Sequence, residues 1–535
     1  MIVTANPHAT KAGFDILKRG GSAADAAIAA QLVLGLVEPQ SSGLGGGAFV
    51  LYYDAVNKRL ESIDARETAP GLAGPFLFYE GGRIMEFKAA QLSGKSVGVP
   101  GVPKLLEYLH QAHGTITWME LFNPARTLAR EGFKISPRLA AMIENHQEDL
   151  RKNPESAAYF LDAEGKARPA GSVLKNQLYE QTLDKLAFSG SGPFYAGGIA
   201  GDIVRAVQNA RTGAGFLTLQ DLQGYTLKKR KPLCAPYHAY IVCSMGEPSS
   251  GGLTLLRILG LLEPFDLANL GPANPRSWSL IGQASALGFA DRNTYMADPD
   301  FVNTPGTALL DPLYLEERRK LLNPQSPLSE VQAGQPPLWE GPLYATSNTI
   351  DKPGTSHISV IDKEGNIVSM TTTIESAFGA HIMTNGFLLN NELTDFSFKP
   401  FDERENLVAN MVEGGKRPRS SMAPTIVFDL EGEPVLIIGS AGGSRIIGYV
   451  LQRLISVLDW EMPIEDAIAA PHILARSPAV EMENGVDSEL YEGLKRWGFE
   501  VNQNDLNSGL TAIYRRGGVY TGAADPRREG TAMGN

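Results

Sequence analysis

Apolar and polar positions alternate between two periods along the whole chain, 2.0 for strands and 3.6 for helices. Mixed helix and sheet is therefore expected throughout. Ser22-Ala-Ala-Asp25 reads as a capping box that opens an Ala-rich helix running through Leu36. A glycine-rich stretch follows, and then Ala48 to Tyr53 reads as a strand. Helical patterns recur in Thr117 to Glu131 and Pro248 to Leu262. The stretch from Pro264 to Glu340 is rich in Pro and polar residues and carries fewer strand signals. Val435 to Ser440 reads as a buried strand. Ala441-Gly442-Gly443-Ser444 then opens an amphipathic helix from about Arg445 to Trp460.

The segment Ala333 to Pro353 breaks the pattern. It holds Pro336, Pro337, Pro342 and Pro353 and ends in polar residues, so it reads as an exposed, flexible linker. Directly after it, Ser356 to Asp362 alternates, Lys363-Glu-Gly-Asn366 turns, and Ile367 to Ile374 reads as a second strand, which together predict a β-hairpin. A three-residue loop with Gly365 left-handed pairs Asp362 with Asn366 and sets Thr355 opposite Thr373. Glu375 then shares their face. A two-residue turn would instead oppose Thr355 to Ile374. The first register is preferred because it gathers three polar side chains and sends Ile374 to the other face.

Thr355 thus opens a strand after a linker, with a side-chain-free Gly354 before it. Attack of its Oγ on the Gly354 carbonyl would form an ester, and water would release a chain beginning with Thr355. The new α-amine, with a reference pKa of about 8, is a ready base for the neighbouring hydroxyl. The N–H groups around Gly442 and Gly443 suit a developing oxyanion. Carboxylates in Asn390-Asn-Glu392-Leu-Thr-Asp395, hydroxyls in Arg417-Pro-Arg-Ser420-Ser421 and the arginine of Asp64-Ala-Arg66 supply charges that suit a zwitterion. His357 shares a strand face with Thr355 and is a candidate to assist. Taken singly, each of these residues has a bland reading as strand-edge or solvated polarity.

Composition narrows the field. With 535 residues, 43% of them hydrophobic, the chain can bury a large core. A net charge of -11 and the lack of basic runs argue against nucleic acid or anionic lipid as partner. Two cysteines, Cys234 and Cys243, give no disulfide framework, and with His238 they make a weak metal site, so packing is the expected role. No apolar run reaches membrane-span length, and Met1 to Gly20 has no signal-peptide core. Either the chain stays in the cytoplasm or a leader preceded Met1, and localisation stays open. Several motifs are decoys. Gly43-Leu-Gly45-Gly-Gly-Ala48 follows a helix rather than a strand, so it is no dinucleotide fingerprint. Gly94-Lys-Ser96-Val-Gly98 runs on into Val99-Pro-Gly-Val-Pro103, not directly into a helix, so Ser96 is no hydrolase nucleophile. His110 and His113 read as surface residues.

Seven spaced motifs, Pro39-Gln-Ser-Ser-Gly-Leu-Gly-Gly-Gly47, Asp64-Ala-Arg-Glu-Thr-Ala-Pro70, Pro248-Ser-Ser-Gly-Gly252, Thr355-Ser-His-Ile-Ser-Val360, Asn390-Asn391, Arg417-Pro-Arg-Ser-Ser-Met422 and Gly442-Gly-Ser-Arg445, anchor a likeness that runs from about Ile2 to the penultimate residues. In these the chain resembles the γ-glutamyltransferase (glutathione hydrolase) family of N-terminal nucleophile hydrolases. The resemblance implies an αββα sandwich made as one precursor and cut between Gly354 and Thr355, with residues 1–354 and 355–535 staying together. It makes Thr355 the nucleophile, Thr373 its hydrogen-bond partner, and Gly442 and Gly443 the oxyanion pair. Arg66, Ser420 and Ser421 would hold an α-carboxylate, and Glu392 and Asp395 an α-amine. It implies no metal or organic cofactor, a glutathione-like γ-glutamyl substrate, and water or an amino compound as acceptor. Glu375 stands where many members have Asn, and residues 396–416 depart from the usual form. Some relatives are cephalosporin acylases that remove a glutaryl group, so a glutaryl acylase is the rival reading and an inert scaffold a remote one.

Overall fold

A computed structural model of the protein describes residues 1–337, 339–342, 344–347, 349 and 354–534. Two antiparallel sheets stack face to face. The first has seven strands, in the order Thr531–Met533, Ile2–Thr4, Ser356–Ile361, Ile367–Thr373, Gly47–Asp54, Arg59–Ala65 and Lys228–Arg230. The second has six, in the order Val519–Ala524, Thr511–Arg516, Pro434–Gly439, Thr425–Asp429, Tyr240–Ser244 and Leu233–Tyr237.

The period-2 alternation explains the layering. In Gly47–Asp54, Ala48, Val50 and Tyr52 pack under the helix layer that includes Ala23–Val37. Leu51 and Tyr53 point the other way and meet Ile426, Phe428, Ile437 and Ile513 of the second sheet. The far side of that sheet is covered by Gly251–Leu262, Pro275–Tyr295 and Arg445–Leu458. Helices, sheet, sheet and helices follow in turn, which is the expected αββα sandwich.

The local expectations fare unevenly. Ser22 and Asp25 form the capping box as read. The hairpin takes the preferred register: Asp362 N–H donates to the Asn366 carbonyl (3.0 Å), Gly365 is left-handed at φ 88°, and Ser356 pairs with Thr372. The Thr117 to Glu131 pattern resolves into two helices, Trp118–Leu121 and Asn123–Glu131. The Pro264 to Glu340 stretch holds the 21-residue helix Pro275–Tyr295, which the sequence reading missed. It is buried on nearly all sides and so carries no polar stripe to betray it.

Two corrections concern side chains. Cys234 and Cys243 form a disulfide, because Leu233–Tyr237 and Tyr240–Ser244 pair in a register that sets them directly opposite. His113 is not a surface residue: its ring stacks on Tyr52 at 3.7 Å and is half-buried. The proposed linker Ala333 to Pro353 lies partly outside the described residues. Within it, Ala345 and Ser347 are buried, donating their N–H groups to the carbonyls of Leu407 and Asn293, so that stretch is packed, not free.

Candidate active site

Thr355 stands at the N-terminal edge of the hairpin and faces the layer between the sheets. Its Oγ1 donates to Thr373 Oγ1 at 3.0 Å, and the Glu375 N–H donates to the same Thr373 oxygen at 2.8 Å. The Thr355 N–H donates to the Ser41 carbonyl (3.2 Å), and its own carbonyl accepts from Arg528 Nη1 (2.8 Å). Both backbone groups are therefore pinned. Thr355 has φ 84° and Glu375 φ 75°. A β-branched residue in the left-handed region is strained, by roughly 1–3 kcal/mol.

Glycines make room for this knot. A Cβ on Gly354 would lie 1.6 Å from the Glu375 carbonyl oxygen, so no other residue fits between the hairpin and that carbonyl. A Cβ on Gly46 would lie 2.0 Å from the Thr373 carbonyl oxygen. The glycine run Gly43 to Gly47 thus serves close packing against the hairpin, in agreement with its rejection as a nucleotide loop.

The turn Ala441 to Ser444 closes the other side. Gly442 (φ 132°) and Gly443 (φ 61°) both adopt conformations that suit glycine, and a Cβ on Gly442 would lie 2.6 Å from Tyr449 Cε2. The helix Arg445–Leu458 starts directly after, so N–H groups at its first turn have no partner within the helix. Among the described residues, the N–H groups of Gly442 and Gly443 meet no acceptor.

Charge gathers at the far end of the same pocket. Arg66 follows the strand Arg59–Ala65 and is fully buried. It donates through Nη1 to Glu392 and through Nη2 to Asp395, while Nε and Nη2 also reach the carbonyls of Pro418 (3.1 Å) and Arg419 (3.0 Å). Asp298 accepts from the Arg417 N–H (2.9 Å), and Pro248-Ser-Ser docks against Ser420, whose N–H reaches the Pro248 carbonyl at 3.0 Å. Arg292, on the missed helix, donates to Ser421 Oγ (2.6 Å) and Ser250 Oγ (2.8 Å). Glu375 accepts through Oε2 from Ser376 Oγ and from Asn391 Nδ2 (2.5 Å). Burial first, then the neighbouring Asp395 and Glu392, hold the Glu375 carboxyl well above its usual range. Burial lifts Glu392 to about 7 against the opposing pull of Arg66. Glu67, buried 3.9 Å from Arg66 and unnoticed in the sequence, is pushed up by burial and by Glu392.

One cavity is lined by Thr355, Thr373, Gly443, Arg66, Glu375, Glu392, Asp395, Ser420 and Ser421, with Met422 and Ile446. Nine of the ten catalytic and substrate-binding residues expected from the sequence thus converge, Gly442 adjoins Gly443, and Gly354 directly precedes Thr355. Free space is ≈ 20 Å³, about one water's worth. His357 does not join them: its ring bonds Thr371 Oγ1 (2.8 Å) and Ser369 Oγ (3.3 Å) between the sheets, and burial holds it neutral, at about 3. Ser96 is buried, donating to the carbonyls of Gln91 and Ser93.

A four-layer αββα sandwich with a threonine at the edge of a central strand is the architecture of the N-terminal nucleophile hydrolases. The family model of γ-glutamyltranspeptidase matches residues 9–535, and the chain belongs to that family. It is an enzyme of the γ-glutamyltransferase and hydrolase class. It is 36% identical over 550 residues to a glutathione hydrolase proenzyme of Bacillus subtilis, covering 100% of this chain and 91% of that one. It is 31% identical over 544 residues to the acylase ACY 1 proenzyme of a Pseudomonas strain, covering 100% and 93%. A cephalosporin acylase from Bacillus halodurans shares the fold with a TM-score of 0.88 at 24% identity, over 100% of this chain and 96% of that one. Among the described residues, no helix is long and apolar enough to cross a membrane.

Proposed function

We propose that this enzyme is a self-processing γ-glutamyl hydrolase and transferase that uses Thr355 as its nucleophile and takes glutathione-like amides. The observation that carries the reading is the Thr355–Thr373 hydroxyl pair at 3.0 Å, at one end of a cavity whose other end holds Arg66 among Glu375, Glu392 and Asp395.

Self-cleavage comes first. Thr355 Oγ attacks the Gly354 carbonyl carbon and the peptide nitrogen leaves it, giving an ester that water hydrolyses. The left-handed strain at Thr355 favours the step, because cutting the bond removes the torsion that stores it. Residues 1–354 and 355–535 then remain together through the first sheet, where strands of both pieces alternate.

Catalysis follows the same geometry. The freed amine takes the Oγ proton as Oγ adds to the γ-amide carbonyl. Gly442 and Gly443 N–H groups receive the oxyanion, and the amine passes the proton to the leaving amine. Water or an amino compound resolves the acyl-enzyme. Recognition is an exchange of ion pairs: Arg66, Ser420 and Ser421 take the substrate carboxylate, and the acids that pair with Arg66 take the ammonium. A γ-glutamyl zwitterion complements this set. A glutaryl group brings the carboxylate but no ammonium, and leaves the acids uncompensated. The rival acylase reading draws on the Pseudomonas relative's name, and the added acid Glu375, which serves an ammonium but has no task for a glutaryl group, speaks against it.

The test is a denaturing gel with N-terminal sequencing of the smaller band, for wild type and Thr355→Ala. Wild type should give two bands, the smaller beginning Thr-Ser-His, and the mutant one inactive band. A mutant that still splits there would sink the assignment. Release of amine from γ-glutamyl and glutaryl anilides then decides between the two substrates, with faster γ-glutamyl turnover expected.

A further inference from the structure

We propose that Arg528 is a positioning residue for the nucleophile: its guanidinium clamps the Thr355 carbonyl and keeps the amine released by self-cleavage in its unprotonated, proton-accepting form. This rests on the reading of Thr355 as a freed N-terminus.

Arg528 lies outside the seven motifs quoted above, the last of which ends at Arg445. Its side chain is buried. Nη1 donates to the Thr355 carbonyl at 2.8 Å and Nε to the Ser508 carbonyl at 2.9 Å. A Cβ on Gly509 would lie 2.7 Å from Nε, so a glycine lets the guanidinium lie against the backbone. Among the described residues no carboxylate comes within ion-pair distance of it. Placing a charge in the interior with only neutral partners is costly, so this one calls for a reason. Burial and Arg138 push the guanidinium down to about 9, which still leaves it charged at neutral pH.

The other charges facing Thr355 are already matched. Across the pocket, Arg66 is tied to Glu392 and Asp395. On the side of the Ser41 carbonyl, buried Glu38 is tied to Arg138 at 2.5 Å and also accepts from Gln40 and Ser41. On the hairpin itself, Glu375 is held towards its neutral form and His357 is neutral. Asp525 is occupied by Ser508 Oγ and the Leu510 N–H, and the Tyr449 phenol, behind Gly442, is held protonated by burial. Among the described residues, Arg528 is thus the cation at Thr355 that no acid offsets at contact distance. The amine and carbonyl of one residue share a Cα, so an ammonium at Thr355 would sit within a few ångströms of the guanidinium. Repulsion between like charges favours the free amine. The carbonyl clamp and the Ser41 carbonyl together fix where that amine points.

The experiment is the pH dependence of kcat/KM for a γ-glutamyl anilide, from about pH 5 to 10, on self-cleaved enzyme. Its acid limb reports the free enzyme's base. Arg528→Gln should move that limb up by about one pH unit, and Arg528→Lys, which keeps the charge, should leave it within about 0.3 unit. A residue that only supports the fold would lower the plateau without moving the limb. A fully cut Arg528→Gln enzyme whose limb coincides with wild type overturns the proposal. Should that variant stay uncut, Glu38→Gln decides. Loss of the buried acid should move the limb down, and a limb unmoved or raised overturns the proposal. An uncut but active wild type would instead overturn the reading of Thr355, and sequencing the small fragment separates that failure from this one.

Discussion

The two ends of the cavity are built on different physics. At the Thr355 end, position comes from backbone geometry: two left-handed residues, a glycine that abuts a carbonyl, and a turn of two glycines. The groups there are hydroxyls and N–H donors. At the Arg66 end, position comes from buried charge, one guanidinium among several carboxyls. Steric knots are all-or-none, because an added methyl has nowhere to go. Buried charges are graded, since a proton or an amide can stand in for a charge at partial loss. The chemistry should therefore tolerate little change, and the substrate choice a good deal.

The largest effect should come from Gly354→Ala. The methyl would meet the Glu375 carbonyl oxygen at 1.6 Å, and a displacement of that size should slow self-cleavage by about 100-fold or more. Time courses of band splitting on a gel read it directly. Cleavage at the wild-type rate would show that the knot at Gly354 is not rigid.

Next is Gly442→Ala, which sets a Cβ 2.6 Å from the Tyr449 ring at a φ of 132°. On the oxyanion role proposed for this turn, moving its N–H should lower kcat by about 100-fold, with KM changed little. An effect confined to KM would assign this turn to substrate binding instead.

At the charged end, Asp395→Asn should raise KM for γ-glutamyl anilide by roughly tenfold, one ionic contact's worth. The fall in kcat/KM for a glutaryl anilide should be smaller, since that group has no ammonium. Equal losses on both substrates would show that Asp395 supports Arg66 rather than reads the amine.

The smallest effect concerns stability. Glu392 is lifted by burial from the ordinary 4.5 to about 7. The folded state therefore holds this proton more tightly than the unfolded one. Stability from this group is fully present below about pH 4.5 and is lost as pH rises towards 7. Glu392→Gln should flatten that fall, by up to about 1–3 kcal/mol across the window, as read from denaturant midpoints at pH 5 and 7.5. An unchanged slope would mean that Arg66 keeps Glu392 ionised throughout.

Much of the Thr355 end is legible in the chain because its determinants are local. Gly365 and the alternation in Ser356–Ile361 and Ile367–Thr373 fix the hairpin register, and the register puts Thr373 beside Thr355. The Arg66 end is less so. Motifs nominate Arg66, Glu392 and Ser420, but nothing in the chain says that the arginine and the acids bind each other. The helix Pro275–Tyr295 went unread since a segment buried all round shows no period, and Arg292 went with it. The Cys234–Cys243 bridge depends on which residues face each other across two short strands. That is a matter of register which a count of cysteines does not contain.

Short-range sterics and periodicity carry the features that are readable along the chain. These are the capped helix after Ser22, the hairpin and its polar face, the glycine before Thr355 and the glycine turn at Gly442. Which distant charges share one low-dielectric space emerges only once the chain has folded. Arg66, Glu392 and Ser421 meet, and Arg528 reaches the Thr355 carbonyl from 173 residues away. The reason is that electrostatic partnership depends on distance and burial. Across hundreds of residues, the folded sheets and helices set both.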